Sequence, residues 1–350
     1  MTIFGMKHWE GPAMIERERV KLCGVCPPQE LYVNGHRSVK EAVFFGGAVL
    51  PSLLRYEFDI IDCQNFPYFS CFSAKLASVF KSVPLLITWL EVWDNYWSEY
   101  LGSRGIFGKI IERLTTKLAR VNMTGTRHNV ERLVSLGINR DKIRLIPIGG
   151  ISLSDIERIP SAAEGVDLIF VGRLTKAKGI ETLLHSLAYL ENRGSKVSLA
   201  IVGDGPEREN LESLSGKLDI RHRVRFWGQV EGDAKVLSIM KSARVFVYPR
   251  APEGGWSLSI VEANACGLPA VSAKSGPVGV NEVVVDGYNG LLAEEESAEA
   301  IAEKIRFLLE HESLRQELGR NALNFAKEQD WDKLVVRMEE FYGEVARQDR

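Results

Sequence analysis

No run of apolar residues in this chain reaches the roughly 18 needed to cross a bilayer, and its opening, MTIFGMKHWEGP, lacks the charged-then-apolar pattern of a secretion signal. A cytoplasmic location is the expectation, reached at the inner face of a membrane if the chain meets one. Charge of one sign is missing too: the formal net charge is −2, with both signs interspersed. The overall balance therefore gives no attraction for nucleic acid or for an anionic membrane, and only a local basic cluster would supply one. Cysteine is sparse. Cys23, Cys26, Cys63, Cys71 and Cys266 form an odd set without framework spacing, which argues against a secreted disulfide scaffold. Cys23 and Cys26 make a CxxC pair, but no second CxxC or CxxH completes a zinc site, so no metal is expected. No internal repeat and no low-complexity tract is visible.

What the chain has is length and apolar content. Its 350 residues, 45% hydrophobic and 26% charged, suffice for two domains of ordinary size. From Asp167 onward, short β-branched runs ending in glycine or proline alternate with segments of helical period: Asp167 to Val171, Ser198 to Val202, Val224 to Trp227, Val245 to Tyr248 and Pro269 to Ser272. That alternation is the mark of a doubly wound parallel sheet. Between the first two runs, Ile180, Leu183, Leu184, Leu187 and Leu190 describe one buried helix face.

The first part of the chain alternates less regularly, with candidate strands at Phe58 to Ile61, Leu85 to Thr88, Val121 to Thr124 and Ile143 to Ile146. Ser38 and Glu41 stand in capping-box spacing, and a further helix carries Ile106, Phe107, Ile110, Ile111, Leu114 and Leu118 on one side. Pro147 to Ile151, followed by polar residues to Gly165, reads as a linker. The expected organisation is α/β: a first Rossmann-like domain over 1–150, a second over 151–330, and a terminal helix over 331–350. That helix places Leu334, Val335, Met338, Phe341 and Tyr342 on an apolar face, which is expected to pack back on the first domain.

Two segments carry chemistry. In Phe170-Val-Gly-Arg-Leu-Thr-Lys-Ala-Lys-Gly179 a strand runs into Gly172 and then offers Arg173 and Lys178 before a helix begins. Two cations beside a helix N-terminus at the carboxyl end of a strand suit a diphosphate, although the same residues also read as a solvated basic loop. In Pro249-Arg-Ala-Pro-Glu-Gly-Gly-Trp-Ser-Leu-Ser-Ile-Val-Glu-Ala-Asn-Ala-Cys-Gly-Leu-Pro269 the end reads as a helix from about Ser257, stopped by Gly267 and followed by Pro269. Glu262 lies early in that helix. Its carboxylate can accept from the vicinal hydroxyls of a ribose, or can simply complement the helix dipole.

Together these segments resemble the retaining glycosyltransferases of family 4, the glycosyl transferases of group 1. The likeness continues in order through Gly203-Asp-Gly-Pro206, Gly228-Gln-Val230, Tyr248-Pro249, Glu262-Ala-Asn-Ala-Cys-Gly-Leu-Pro269 and Asp286-Gly-Tyr-Asn-Gly-Leu-Leu292. It is strong in the second half and traceable over residues 7 to 147. The resemblance implies the GT-B fold, two Rossmann-like domains facing each other across a cleft, and transfer of a sugar from a nucleoside-diphosphate sugar, with UDP or GDP as the base-bearing half. By the resemblance Gly172, Arg173 and Lys178 hold the diphosphate, with Arg173 and Lys178 stabilising its charge as it leaves. Ser257 and Leu258 offer amides to the phosphates, and Glu262 binds the ribose. Glu253, followed by Gly254, contacts the transferred sugar. Because protein cations balance the leaving group, no divalent metal and no cofactor is implied. The acceptor is a glycan, a glycolipid or a small molecule, with peripheral membrane contact through the first domain.

Three features depart from the family pattern. Glu253 and Glu262 have eight residues between them, one more than the usual spacing, so that Gly254 falls at the first glutamate's place. A glycine-rich bulge at Glu253-Gly254-Gly255 would restore the carboxylate. In Thr88-Trp89-Leu90-Glu91 a leucine stands where many relatives have histidine, which leaves Trp89, Leu90 and Glu91 as the acceptor-side candidates, with Glu91 as a substitute polar group. Finally, the family's first strand is expected ahead of Trp9 to Pro12, which points to a first domain shortened at its N-terminus, with a sheet edge left open.

The aromatic group of Phe66, Tyr68, Phe69, Trp89, Trp93, Tyr96, Trp97 and Tyr100 reads either as core packing or as a platform for sugar or lipid. His8, His36 and His128 are taken as structural. A weakly active or inactive relative that binds a nucleotide sugar or a partner is the alternative, favoured by Leu90. A sugar-nucleotide epimerase shares the architecture. A dinucleotide-dependent oxidoreductase is excluded, since no G-x-G-x-x-G follows an early strand.

Overall fold

The computed structural model describes residues 1–30, 32–33, 36–250, 256–274 and 282–348. The chain divides into two compact units, Met1–Ile146 with Arg337–Arg350, and Pro147–Val336.

The first unit opens with a three-stranded sheet. Strand β1 (Thr2–Met6) runs parallel to β3 (Val20–Cys26), and β2 (Met14–Arg17) is antiparallel to β3. A strand thus precedes Trp9, and it belongs to this small sheet. Phe4 ties the sheet to the core through edge-on contacts with Tyr56 and Phe58, at 5.6 and 5.9 Å between ring centroids. The short strands β4 (Tyr32–Val33) and β5 (His36–Arg37) pair with each other. Helix α1 (Val39–Arg55) then begins at Ser38, whose hydroxyl accepts from the Glu41 amide at 3.2 Å, as the capping-box spacing predicts.

The core of this unit is a four-stranded parallel sheet in the order β6 (Ile61–Gln64), β7 (Leu85–Trp89), β8 (Val121–Thr124) and β9 (Ile143–Leu145). Helices α2 (Tyr68–Lys81), α3 (Tyr96–Leu101), α4 (Gly105–Thr115) and α5 (Arg127–Ser135) connect the strands. Strand β6 begins where the expected run Phe58 to Ile61 ends. Phe58 serves the contact with Phe4, while the polar Asp62 enters the sheet because Thr88 Oγ1 and Tyr342 Oη both donate to it, each at 2.6 Å. The terminal helix, Trp331–Gln348, enters the first unit at Arg337, and there Phe341 and Val345 cluster with Leu86, Met123 and Ile146.

The second unit is a six-stranded parallel sheet. Its order is β12 (Val224–Gly228), β11 (Leu199–Val202), β10 (Val166–Val171), β13 (Ala243–Tyr248), β14 (Ala270–Ala273) and β15 (Gly290–Ala293). The chain lays β10 first, moves outward through β11 and β12, and returns to place β13 on the other side of β10. The sheet reverses there, between β10 and β13. Leu168, Ile169 and Phe170 of β10 are fully buried, as are Val245, Phe246 and Val247 of β13. Helix α6 (Leu153–Arg158) forms inside the stretch read as linker, and Lys241 Nζ donates to the carbonyls of Ile156 in its last turn and of Ile159 just past its end. Helices α7 (Ile180–Asn192), α8 (Arg208–Lys217), α9 (Asp233–Lys241) and α10 (Leu258–Ala265) alternate with the strands, and Ala298–Glu310 and Glu312–Lys327 follow β15.

Two short motifs explain themselves by packing. A Cβ at Gly203 would lie 2.0 Å from the Gly172 carbonyl oxygen, and one at Gly205 would lie 2.4 Å from that of Leu174. The turns after β10 and β11 touch backbone to backbone, with Leu174 N donating to the Asp204 carbonyl at 2.9 Å. In the stretch from Asp286 to Leu292, Asp286 accepts from Leu292 N at 2.8 Å. There Asn289 accepts from Val285 N at 2.7 Å and donates to the Val283 carbonyl at 2.8 Å. These side chains tie their own turn into β15.

The CxxC pair lies along β3, where a strand rises about 3.3 Å per residue. The register with β1 shifts between them, since Gly5 pairs with Gly24 and Met6 with Cys26. Among the described residues no group of histidine, cysteine, aspartate or glutamate is arranged to hold a metal, and no helix is long and apolar enough to cross a membrane.

Candidate functional site

Open parallel sheets bind ligands beyond the carboxyl ends of their strands, at the point where strand order reverses. In the second unit that point lies between β10 and β13. Residues Gly172 to Gly179 leave β10. Residues 249–257 leave β13 and lead into α10.

On the β10 side, Gly172 N donates to the Val202 carbonyl at 3.0 Å and fixes the turn. Arg173 is exposed and Lys178 half-buried. Lys178 sits in a single 3-10 turn, Lys176–Lys178, and its ammonium stands 5.4 Å from the centroid of the Tyr248 ring at the end of β13. Gly179, at φ +66°, caps α7, and a Cβ there would lie 3.1 Å from Arg250 Cβ and 3.3 Å from Pro249 Cβ. The exits of the two strands thus meet side by side, and the Lys178 ammonium is held at their junction.

On the β13 side, Ser257 caps α10, leaving the first amides of the helix at the carboxyl end of the sheet. Trp256 Nε1 donates to the Gly149 carbonyl at 2.9 Å and anchors the approach to that cap. The helix ends as its sequence predicts: Gly267 takes φ +75° and Leu268 N returns to the Ala263 carbonyl at 3.0 Å. Glu262 is half-buried. Burial, aided by the charge of Asp233, pushes its carboxyl up to about 7. Glu253 and Gly254 lie outside the described residues.

The carboxyl end of β7 in the first unit is built differently. Trp89 is fully buried, with its Nε1 donating to Asn122 Oδ1 at 2.8 Å. This corrects the expectation that it faces an acceptor, since a ring enclosed in the core has no free face. Leu90 N donates to Asn65 Oδ1 at 2.9 Å, and Asn129 Nδ2 donates to the Leu90 carbonyl at 3.1 Å. Glu91 accepts from Trp93 Nε1 at 2.6 Å. The buried Glu112 accepts from the Tyr68 hydroxyl at 2.7 Å and from the amides of Trp93 and Asp94, each at 2.8 Å. Arg132 donates to the carbonyls of Val92 and Trp93. No sequence spacing pointed to Asn65, Asn129 or Glu112, because the bonds that hold this loop, to Leu90, Glu91, Trp93 and Asp94, and the one from Tyr68 to Glu112 span 18 to 44 residues.

The aromatic group is packing. Trp93 lies between 4.6 and 5.3 Å from Phe66, Tyr96, Trp97 and Tyr100 by ring centroid, and Tyr68 joins through Trp97 at 5.9 Å. Burial and the Arg132 charge push His128 down to about 4, so it is neutral at physiological pH.

Two Rossmann-like parallel-sheet units in one chain are the architecture of the GT-B class. The sequence model described as glycosyl transferases group 1 matches residues 154–325, within the second unit, and together with the GT-B neighbours it supports a group 1 glycosyltransferase. An uncharacterised glycosyltransferase of Methanocaldococcus jannaschii is 34% identical over 200 residues, covering 54% of this chain and 50% of that one. The chain spans about half the length of the first curated relatives it matches. Among solved structures, sucrose-phosphate synthase from Thermosynechococcus elongatus superposes with a TM-score of 0.78 at 20% identity, covering 98% of this chain and 88% of that one. The Anabaena protein HepE in complex with UDP gives 0.70 at 20% identity, covering 86% and 82%.

Proposed function

We propose that this chain is a glycosyltransferase moving a sugar from a nucleoside-diphosphate sugar to an acceptor hydroxyl with retention. The observation that carries the reading is topological. The segments that bear Arg173, Lys178, Ser257, Leu258 and Glu262 leave the two strands that flank the reversal of the sheet. The family match and a structural neighbour that binds UDP support a nucleotide-sugar donor.

In this reading the diphosphate rests against Arg173, Lys178 and the amides at Ser257 and Leu258, and Glu262 accepts from the ribose hydroxyls. Positive charge placed in advance stabilises the leaving diphosphate, which is commonly the largest single catalytic contribution. The glycosidic bond breaks with its electron pair going to the phosphate oxygen, and the acceptor oxygen bonds to the anomeric carbon on the same face. The acceptor's proton leaves with the diphosphate. Protein cations do the work a divalent ion does elsewhere, so the transfer is expected to proceed in EDTA. A glycan, glycolipid or small molecule is the acceptor, and the first unit provides any peripheral contact with a membrane.

The second reading, a relative that binds nucleotide sugar with little or no turnover, rests on Leu90, whose side chain offers no hydrogen bond where the loop leaves β7. Titration with UDP and with GDP, followed by thermal unfolding, tests both. A nucleotide at 100 times its dissociation constant adds about 2.7 kcal/mol. Stabilisation together with transfer supports the first reading, and stabilisation without transfer to any acceptor supports the second. Absence of both defeats the nucleotide site.

A further inference from the structure

Helix α4 leaves most of its apolar stripe in the open. A surface helix of a water-soluble domain buries its apolar stripe and exposes its charges. Here four residues of the expected stripe face outward, with Phe107 69% exposed and Ile106, Ile110 and Leu114 exposed as well, while Ile111 and Leu118 are half-buried against the core. The face turned inward carries Glu112 and Thr115, both fully buried. The helix cannot roll over to bury its apolar side without breaking the three hydrogen bonds that Glu112 accepts from Tyr68, Trp93 and Asp94.

Within the α4 segment itself the exposed charge has one sign, and the exposed acid nearest in sequence is Glu99 of the preceding helix α3. From Gly102 to Arg120 every exposed position is apolar, cationic, glycine or serine: the cations are Arg104, Arg113, Lys117 and Arg120, and the one acid of the segment is the buried Glu112. Helix α2 contains no acidic residue, and its end exposes Val79 at 62% and Phe80 at 72%. Val79 and Leu118 line one cavity of about 270 Å³ together with Lys75 and Arg120, so the ends of the two helices share a surface. Lys81 at the end of α2 is already paired with Glu57 at 2.9 Å and adds nothing to this field.

We propose that this face, the outer side of α4 with the exposed end of α2, lies on an anionic phospholipid surface. The apolar side chains enter the headgroup and acyl boundary while Arg104, Arg113 and Lys117 meet lipid phosphates. An in-plane amphipathic helix binds in this way, through buried apolar area and attraction to anionic lipid together. Large apolar side chains exposed next to one another along a helix mark an interaction surface. The charge selects the occupant, because a second copy seated on the same face would bring the cations of both chains together.

The inference does not rest on sugar transfer, since binding to vesicles needs neither donor nor acceptor. The full chain is floated with vesicles of phosphatidylcholine alone and of phosphatidylcholine and phosphatidylglycerol in equal parts. The expected result is binding to the anionic vesicles, weakened about tenfold or more in the double variant Phe107→Ser, Ile110→Ser and equally in Arg113→Glu, Lys117→Glu. The variant Phe307→Ser, at an exposed apolar position of the second unit, keeps full binding. Added salt, tested on the unaltered chain, weakens the association and supplies a measurement that needs no variant. No binding to anionic vesicles, binding that survives both double variants, or a solution dimer dissolved by Phe107→Ser, Ile110→Ser without vesicle binding would overturn the proposal.

Discussion

The exits of β10 and β7 lead from central parallel strands of the two units, yet their polar groups are used in opposite ways. After β10 the backbone closes on itself through Gly172, Gly203 and Gly205, and the side chains of Arg173 and Lys178 are carried outward from that lock. After β7 the side chains of Asn65, Asn129, Glu112 and Arg132 are turned onto the loop's own amides and carbonyls. One loop is fixed by backbone packing and carries two cations, with Lys178 against the Tyr248 ring, and the other uses its polar side chains to hold its own shape. Mutations should therefore separate activity from stability between the two places.

The largest effect is expected at the first. Arg173→Ala or Lys178→Ala should lower transfer by about 10²-fold or more, with little change in the unfolding midpoint, as read from initial rates and circular dichroism melts. A near-normal rate would show that the diphosphate does not rest there. The reverse pattern is expected at Glu112. Glu112→Ala leaves the Tyr68 hydroxyl and two buried amides without acceptors and should destabilise the first unit by about 2–4 kcal/mol in urea denaturation. A midpoint unchanged from the parent would break the comparison.

Glu262 gives a pH signature. Its carboxyl titrates near 7 in the folded chain against an ordinary value of 4.5, so the folded state holds this proton more tightly. Stability from this group is greatest below about 4.5, falls as pH rises toward 7 and levels off above it. Glu262→Gln should flatten that slope in melts recorded from pH 5 to 8. Affinity for UDP should improve as pH rises through 7 in the parent and not in the variant; a parallel response in both would remove Glu262 from the ribose. The smallest change is expected from Leu90→His. The loop around position 90 is held by its backbone, so the side chain can be exchanged without disturbing Asn65 or Asn129. A modest rise in turnover is expected, and an unchanged rate would place the transferred sugar away from this strand.

The second unit was far more legible in the sequence than the first. Its strands are runs such as Asp167 to Val171, β-branched and closed by glycine, and the stop of α10 at Gly267 and Pro269 is written in consecutive residues. These signals are local. Strand β15 went unread because Gly290-Leu-Leu-Ala293 has no β-branched residue and is set by the Asp286 and Asn289 side chains. The opening sheet of β1, β2 and β3 carried no clean alternation, and β6 was hidden by Asp62. The face of α4 was found by its period, but which side turns inward depends on Glu112 meeting Tyr68, 44 residues earlier in the chain. Helical period gives a stripe; only a distant partner tells which way it points.

The glycine contact behind Arg173 bears on how a saturation scan of this chain would read. Gly203 and Gly205 would tolerate replacement as poorly as any ligand-binding position, because a methyl group at either would collide with the carbonyl of Gly172 or Leu174. Screened by colony phenotype alone, such glycines would be mistaken for contacts to substrate. Soluble yield tells them apart: it drops for the glycine variants and holds for Arg173, so the turn that aims the guanidinium and the guanidinium itself can be scored as separate inheritable traits.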